Sequence, residues 1–186
     1  MIKEKIRKKH GFTLSETLIT IALLLIVSGI VVAGIPVAVN AYKKVVQAAN
    51  AQVLLSTTLT ELRDKLAFSD NVGININKTS VSFRGEDGRF YSIFNQTIGS
   101  EKGIYLSDDT AENVEDDDEN VSSRLLVSDE AATRELYVRF KDITYEANKP
   151  NLITFNEVKV YRKSDDKEFA YVEKYDIELM NNEKAH

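Results

Sequence analysis

The sequence contains no cysteine. Disulfides and thiolate metal sites are therefore excluded, and an exported domain made from this chain has to rely on its core alone. Histidine is nearly absent as well. The two present, His10 and His186, lie in a basic N-terminal cluster and at the last residue, and neither position suits a general base. No G-x-S-x-G nucleophile turn, Walker A loop or dinucleotide fingerprint occurs, and no internal repeat is evident. Catalysis thus has no residue set to carry it, and no cofactor is expected.

Charge is missing from one long stretch. Between Thr17 and Tyr42 no residue is formally charged. Elsewhere the charge is lopsided. Lys3, Lys5, Arg7, Lys8 and Lys9 against Glu4 give residues 1–11 a formal +4; with −5 overall, the remainder carries −9. A body this acidic disfavours nonspecific nucleic-acid binding over its whole surface, while leaving room for a local basic patch. The 186 residues suffice for one modest domain with an appended segment.

The uncharged stretch includes LITIALLLIVSGIVVAGIPVAV, long enough to cross a bilayer, which takes about 20 apolar residues. A spanning segment of this kind has to be helical, because lipid offers the backbone no partners. The basic cluster precedes it and only Lys43 and Lys44 follow closely, which predicts a cytoplasmic N-terminus and an external body. The run is too long for a secretory signal and ends in no Ala-x-Ala site. A plain single-pass anchor fits the length, but it does not account for the order K-K-H-G-F-T-L-S-E at residues 8–16.

That order resembles the class III signal of type IV prepilins and pseudopilins. The matching residues are the basic leader ending in Gly11, then Phe12, Thr13, Leu14, Ser15 and Glu16, then the apolar run. The resemblance implies cleavage between Gly11 and Phe12 by a prepilin peptidase, followed by N-methylation of Phe12. It implies that Glu16 pairs with the Phe12 amine of a neighbouring subunit and sets axial register. Its implied partners are other pilin or pseudopilin subunits, an inner-membrane assembly platform with its ATPase, and membrane lipid before assembly. A DNA or surface ligand stays unassigned. The physics of Glu16 agrees: a carboxylate inside an apolar helix costs about 2.5–3.5 kcal/mol at mid-bilayer and needs a partner or water. Hydration at headgroup level, with no further role, is the plain alternative.

Gly29, Gly34 and Pro36 lie in the later half of the run. Proline removes a donor and clashes with the preceding turn, so a helix break is expected at Gly34 and Pro36. Close packing of small residues against neighbouring helices is the equal alternative.

Beyond the apolar run, Tyr42–Ala67 reads as an amphipathic helix. Leu55, Leu59, Leu62 and Leu66 share one face as a core stripe, and Glu61 and Lys65 can pair at i, i+4. After Phe68 the period changes to that of strands. Val81–Phe94 reads as a hairpin around Gly85-Glu86-Asp87-Gly88, and Gly103–Leu106 as a strand. Leu136, Val138 and Phe140 alternate with polar residues. Leu152–Arg162 is a strand whose apolar phase slips near Asn156-Glu157, as at a β-bulge. A turn at Ser164–Lys167 leads to a last strand in which Phe169, Tyr171, Tyr175, Ile177 and Leu179 share a face interrupted by Glu173. Asn181–His186 reads as a polar tail.

The expected fold is α+β: a long N-terminal helix packed on an antiparallel sheet, the layout that the pilin resemblance also implies. The expected domains are a leader at 1–11, an assembly helix at 12–41, an amphipathic helix at 42–67, and a β-rich extracytoplasmic domain at 68–186 with an acidic loop at 107–120. Within that loop eight carboxylates favour a solvated segment. Asp116 and Asp118 are the candidate calcium ligands, although EF-hand order is absent. The sequons at Asn77 and Asn95 are short enough to arise by chance. The functional expectation is a minor pilin or pseudopilin of a type IV pilus or type II secretion-like filament, first at the cell membrane and then extracellular. Lack of cysteine points towards a Gram-positive source. The alternative is a monomeric, membrane-anchored binding module.

Overall fold

A computed structural model describes residues 13–109, 123–127, 135–146 and 149–180. The chain divides into two compact units, Met1–Val45 and Val46–His186. Helix α1 runs from Leu14 to Leu66, with Glu16 in its first turn and Arg63 and Lys65 in its last, signs that complement the helix dipole.

In the first unit α1 is apolar around its whole circumference. Among the described residues Leu18, Ile21, Leu24, Val31 and Val37 are all exposed. A helix apolar on every side is a membrane span or the centre of a large core. The break expected at Gly34 and Pro36 is not seen, because α1 continues through both. Proline in mid-helix forfeits one ladder bond, and the intact turns on either side hold the segment in register.

In the second unit α1 buries a stripe: Ala51, Leu54, Leu55, Thr58, Leu62 and Leu66. This is the expected leucine face with its flanking positions, and Leu59 packs at its margin. Each fully buried leucine is worth about 1.5–3 kcal/mol relative to exposure. Thr58 is the one polar residue in the stripe, and its hydroxyl donates to the Leu54 carbonyl at 2.7 Å. The Glu61–Lys65 pair does not form among the described ion pairs. The helix ends where the Ser69 hydroxyl donates to the Leu66 carbonyl at 2.8 Å.

The stripe packs on two antiparallel sheets where one was expected. The first is a meander of β1 (Asp70–Ile74), β2 (Ser80–Arg84), β3 (Phe90–Ile98), β4 (Glu101–Asp109) and β5 (Ser123–Leu125), in that order. The hairpin around Gly85–Gly88 forms as expected, with Gly88 at φ 80°. Strand β4 is longer than the expected Gly103–Leu106. A tight turn at Gly99-Ser100, with Gly99 at φ 59°, pairs Ile98 with Glu101 and extends the ladder. Ser107, Asp108 and Asp109, expected to begin the acidic loop, are paired in β4, and Ser107 is buried. The rest of that loop, 110–120, lies outside the described residues, as does the tail.

In the second sheet the central strand is β8 (Lys149–Arg162). One edge of it pairs with both β6 (Leu136–Arg139) and β7 (Asp142–Glu146), and the other pairs with β9 (Glu168–Glu178). The apolar phase does slip at Asn156-Glu157, since Ile153 and Phe155 are buried before it and Val158 and Val160 after it. The cause is one residue, Glu157, at φ 48°. No residue is inserted. Registers on both sides of Glu157 are conserved, because the neighbouring strands change phase in the same row. The register shift between β8 and β9 falls instead at Val160/Tyr161. The shared change of phase also corrects the expected face of β9. Ala170 and Ile177 are buried, Val172 and Tyr175 pack at the core margin, and Tyr171 is exposed.

Helix and sheets enclose one continuous core that includes Leu62, Phe83, Ile93, Phe140, Ile153 and Phe155. Polar clasps tie the two sheets together. Lys102 on β4 reaches Asp166, in the β8–β9 turn, at 2.9 Å, and the Tyr137 hydroxyl donates to the same carboxylate at 2.7 Å. The Tyr145 hydroxyl donates to the Val72 carbonyl.

Candidate functional site

The residues singled out for function are placed unevenly by the structure. Of these, Gly11 and Phe12 lie outside the described residues, and so do His10, His186, Asp116 and Asp118. Glu16 is described. It sits in the first helical turn, where its carboxylate accepts from the Thr13 amide at 2.9 Å and from the Thr13 hydroxyl at 3.0 Å. In return the Glu16 amide donates to the Thr13 hydroxyl oxygen at 3.3 Å. This reciprocal pattern is a capping box, with Thr13 at the N-cap and Glu16 three residues on. It satisfies helix donors that would otherwise be orphaned in an apolar environment. The spacing Thr-x-x-Glu was visible in the sequence, but the cap it forms was not foreseen.

The next turns are organised in the same economical way. The Thr17 hydroxyl donates to the Thr13 carbonyl at 3.3 Å, and the Thr20 hydroxyl to the Glu16 carbonyl at 2.7 Å. Each hydroxyl is thus paired inside the helix, so these threonines do not bring bare polar groups into lipid. From Leu14 to Tyr42 the helix is about 43 Å long at 1.5 Å per residue, more than the roughly 30 Å of a hydrocarbon core. Over this length one position carries a charge. That position is an acid placed within a turn of the N-terminus.

Further along, Gly29 and Gly34 have open space where a β-carbon would sit. Nothing among the described residues requires glycine at either place.

A family model described as the prokaryotic N-terminal methylation motif matches residues 6–32. The chain carries the type IV prepilin-type signature. The signature covers Arg7, Lys8 and Lys9 of the basic cluster, the Gly11–Glu16 segment and most of the apolar run, and it ends before Gly34 and Pro36. It supports a processed subunit of the pilin or pseudopilin kind, and it implies processing by a prepilin peptidase and assembly with other pilins. Proteins marked by this signature are structural subunits rather than enzymes. Together with the apolar helix it fits a membrane-anchored pilin. No curated protein and no solved structure gives a match.

The other sequence candidates separate clearly. Asn77 of the first sequon lies in the exposed β1–β2 turn. Asn95 of the second is engaged at both ends of its amide by the Phe140 backbone. Among the described residues no group of three or more carboxylates or histidines is placed to hold a metal ion.

Proposed function

We propose that the chain is a structural subunit, a minor pilin or pseudopilin, of a type IV pilus or type II secretion-like filament. The observation that carries this reading is the coincidence of the methylation motif at residues 6–32 with a helix that is apolar on all sides apart from one acid in its first turn. In this account residues 1–11 are a leader removed between Gly11 and Phe12, and the new Phe12 amine is methylated. Residues 12–41 form the assembly helix, and 42–67 the amphipathic helix. Residues 68–186 form the domain exposed outside the membrane. An assembly platform and its ATPase lift the processed subunit from lipid into the fibre.

The acid supplies the register. Before assembly the Thr13 cap shields Glu16 and lowers the cost of keeping it near lipid. During assembly the Phe12 amine of a neighbour offers a full positive charge, a stronger partner than a neutral hydroxyl in a medium of low dielectric. Only a subunit at the correct height makes that contact. Neighbouring helices then cover the apolar surface that lipid covered before. Gly34 and Pro36 mark the place where the helix yields most readily when packed against its neighbours.

The test is Glu16→Ala in the native host. Membrane insertion stays normal, while the variant's share of the sheared, pelleted filament fraction falls about tenfold or more. Wild-type levels of the variant in that fraction would remove Glu16 from the mechanism.

A further inference from the structure

On the face of the second sheet turned away from the core, Arg139, Lys141 and Lys159 come together around a shallow cavity of about 280 Å³ that Tyr137 and Tyr161 also line. Their charges are unequally matched. Lys141 and Lys159 share one carboxylate, Glu157, which Lys159 reaches at 3.0 Å; Lys159 also lies 3.5 Å from Glu168. Glu157 holds both ammonium groups in their charged form, its hydrogen bonds raising the pKa of each. Arg139 makes no ion pair within 4.0 Å among the described residues; the carboxylate it acts on, Asp166, is held chiefly by Lys102 and Tyr137 and only weakly by Arg139. Its Nη2 makes one long contact, 3.4 Å to the Thr97 hydroxyl, and its enclosed Nε has no hydrogen-bond partner. A guanidinium carries a planar fork of donors that suits a carboxylate. Here the guanidinium lines a cavity, with Nε enclosed and only the terminal nitrogens left to meet a ligand.

We propose that this face binds an acidic oligosaccharide, with a sugar carboxylate on Arg139 and Lys141 and Lys159 flanking it. The aromatic residues supply the rest of such a site. Tyr137 is itself buried, with Lys102 over its ring, and it backs Tyr161, which stacks on it with ring centroids 5.4 Å apart. Tyr171, 63% exposed, pairs with Lys159 across the strands and so projects on the same face. Tyrosine rings present flat apolar surface to the C–H face of a sugar while keeping a polar tip in water. A cavity of this size takes one or two sugar rings, below the volume of a drug-sized pocket.

Charge density selects the class of polymer. Glu157 and Glu168 interrupt the cations on this face, and the body of the chain is acidic. A nucleic acid, charged at every phosphate, meets repulsion from these two carboxylates. A uronate chain with spaced charges is tolerated. This inference does not depend on the filament reading.

Full-length protein in detergent micelles is titrated calorimetrically with an oligogalacturonate hexamer, a neutral cello-oligosaccharide of equal length and a single-stranded hexanucleotide. The uronate is expected to bind about tenfold or more tightly than either competitor, and Arg139→Gln to weaken it about tenfold. Lys141→Gln changes an exposed side chain, keeps the circular dichroism of the parent and weakens uronate binding about two- to fivefold. The proposal is overturned by absence of uronate binding, by a hexanucleotide affinity that equals or exceeds it, or by uronate binding unchanged in both variants.

Discussion

Asn95 on β3 grips the backbone of Phe140 between β6 and β7: its Nδ2 donates to the Phe140 carbonyl at 2.7 Å, and its Oδ1 accepts from the Phe140 amide at 3.2 Å. One side chain thereby satisfies both polar groups of a residue whose ring is buried in the core, edge-on to Phe155 at 5.3 Å. It does so across the junction of the two sheets. Asn95→Ala leaves both backbone groups without these partners, at a cost of about 1–3 kcal/mol. Asn95→Asp keeps the acceptor but turns a second oxygen towards the Phe140 carbonyl, and it is expected to cost at least as much. Urea denaturation of the full-length protein in detergent, followed by near-ultraviolet circular dichroism, reads both as lower midpoints with unchanged slope.

Tyr137 gives the fold an alkaline limit. Burial, followed by its bond to Asp166, pushes the phenol pKa up to about 12 from an ordinary 10. The folded state therefore holds this proton more tightly than the unfolded chain. Its contribution is complete below pH 10 and is lost as pH rises through 12, a span worth about 2–3 kcal/mol. Stability measured between pH 9 and 12 is expected to fall more steeply in the parent than in Tyr137→Phe. That variant has no phenol to ionise, but it starts from a lower value because it lacks the Asp166 bond.

Thr13 tunes the acid that it caps. Thr13→Ala removes the hydroxyl that both bonds the carboxylate of Glu16 and receives its amide, at about 1 kcal/mol of helix stability. Thr13→Ser retains both bonds. In filament fractions from the native host, Thr13→Ala is expected to show a defect smaller than that of Glu16→Ala, and Thr13→Ser to match the parent. A defect in Thr13→Ser equal to that in Thr13→Ala would mean that the methyl group, rather than the cap, matters.

Much of this was legible in the chain itself. The leucines from Leu55 to Leu66 announce a core face because helical period and burial are the same fact seen twice. The phase slip at Asn156-Glu157 was visible too. Its cause was not, since a left-handed residue matched by neighbouring strands in the same row is a property of pairing, and pairing is nonlocal. Tyr171 was placed on the wrong face for that reason. Strand β1 is hidden in the sequence because Asp70, Asn71 and Gly73 are turn residues by composition, and Asn71 does adopt a φ of 49° at a register shift; the buried Val72 and the Tyr145 bond to its carbonyl anchor the strand. Strand β7 carries only a short alternation around Ile143, which is buried in the core. The division into two sheets follows from β6 and β7 sharing one edge of β8, which no local window contains. At the N-terminus the motif could be read directly, because it is local. The use of Glu16 as a cap for its own helix required geometry.

The central claim is that the chain leaves its leader behind and begins life in a fibre at Phe12. Intact-mass and N-terminal peptide mass spectrometry of protein purified from its native host tests this directly. The account predicts a mature chain beginning at Phe12 and heavier there by one methyl group. Protein that is membrane-bound, folded and still begins at Met1 would contradict it and would leave a monomeric anchored module in its place.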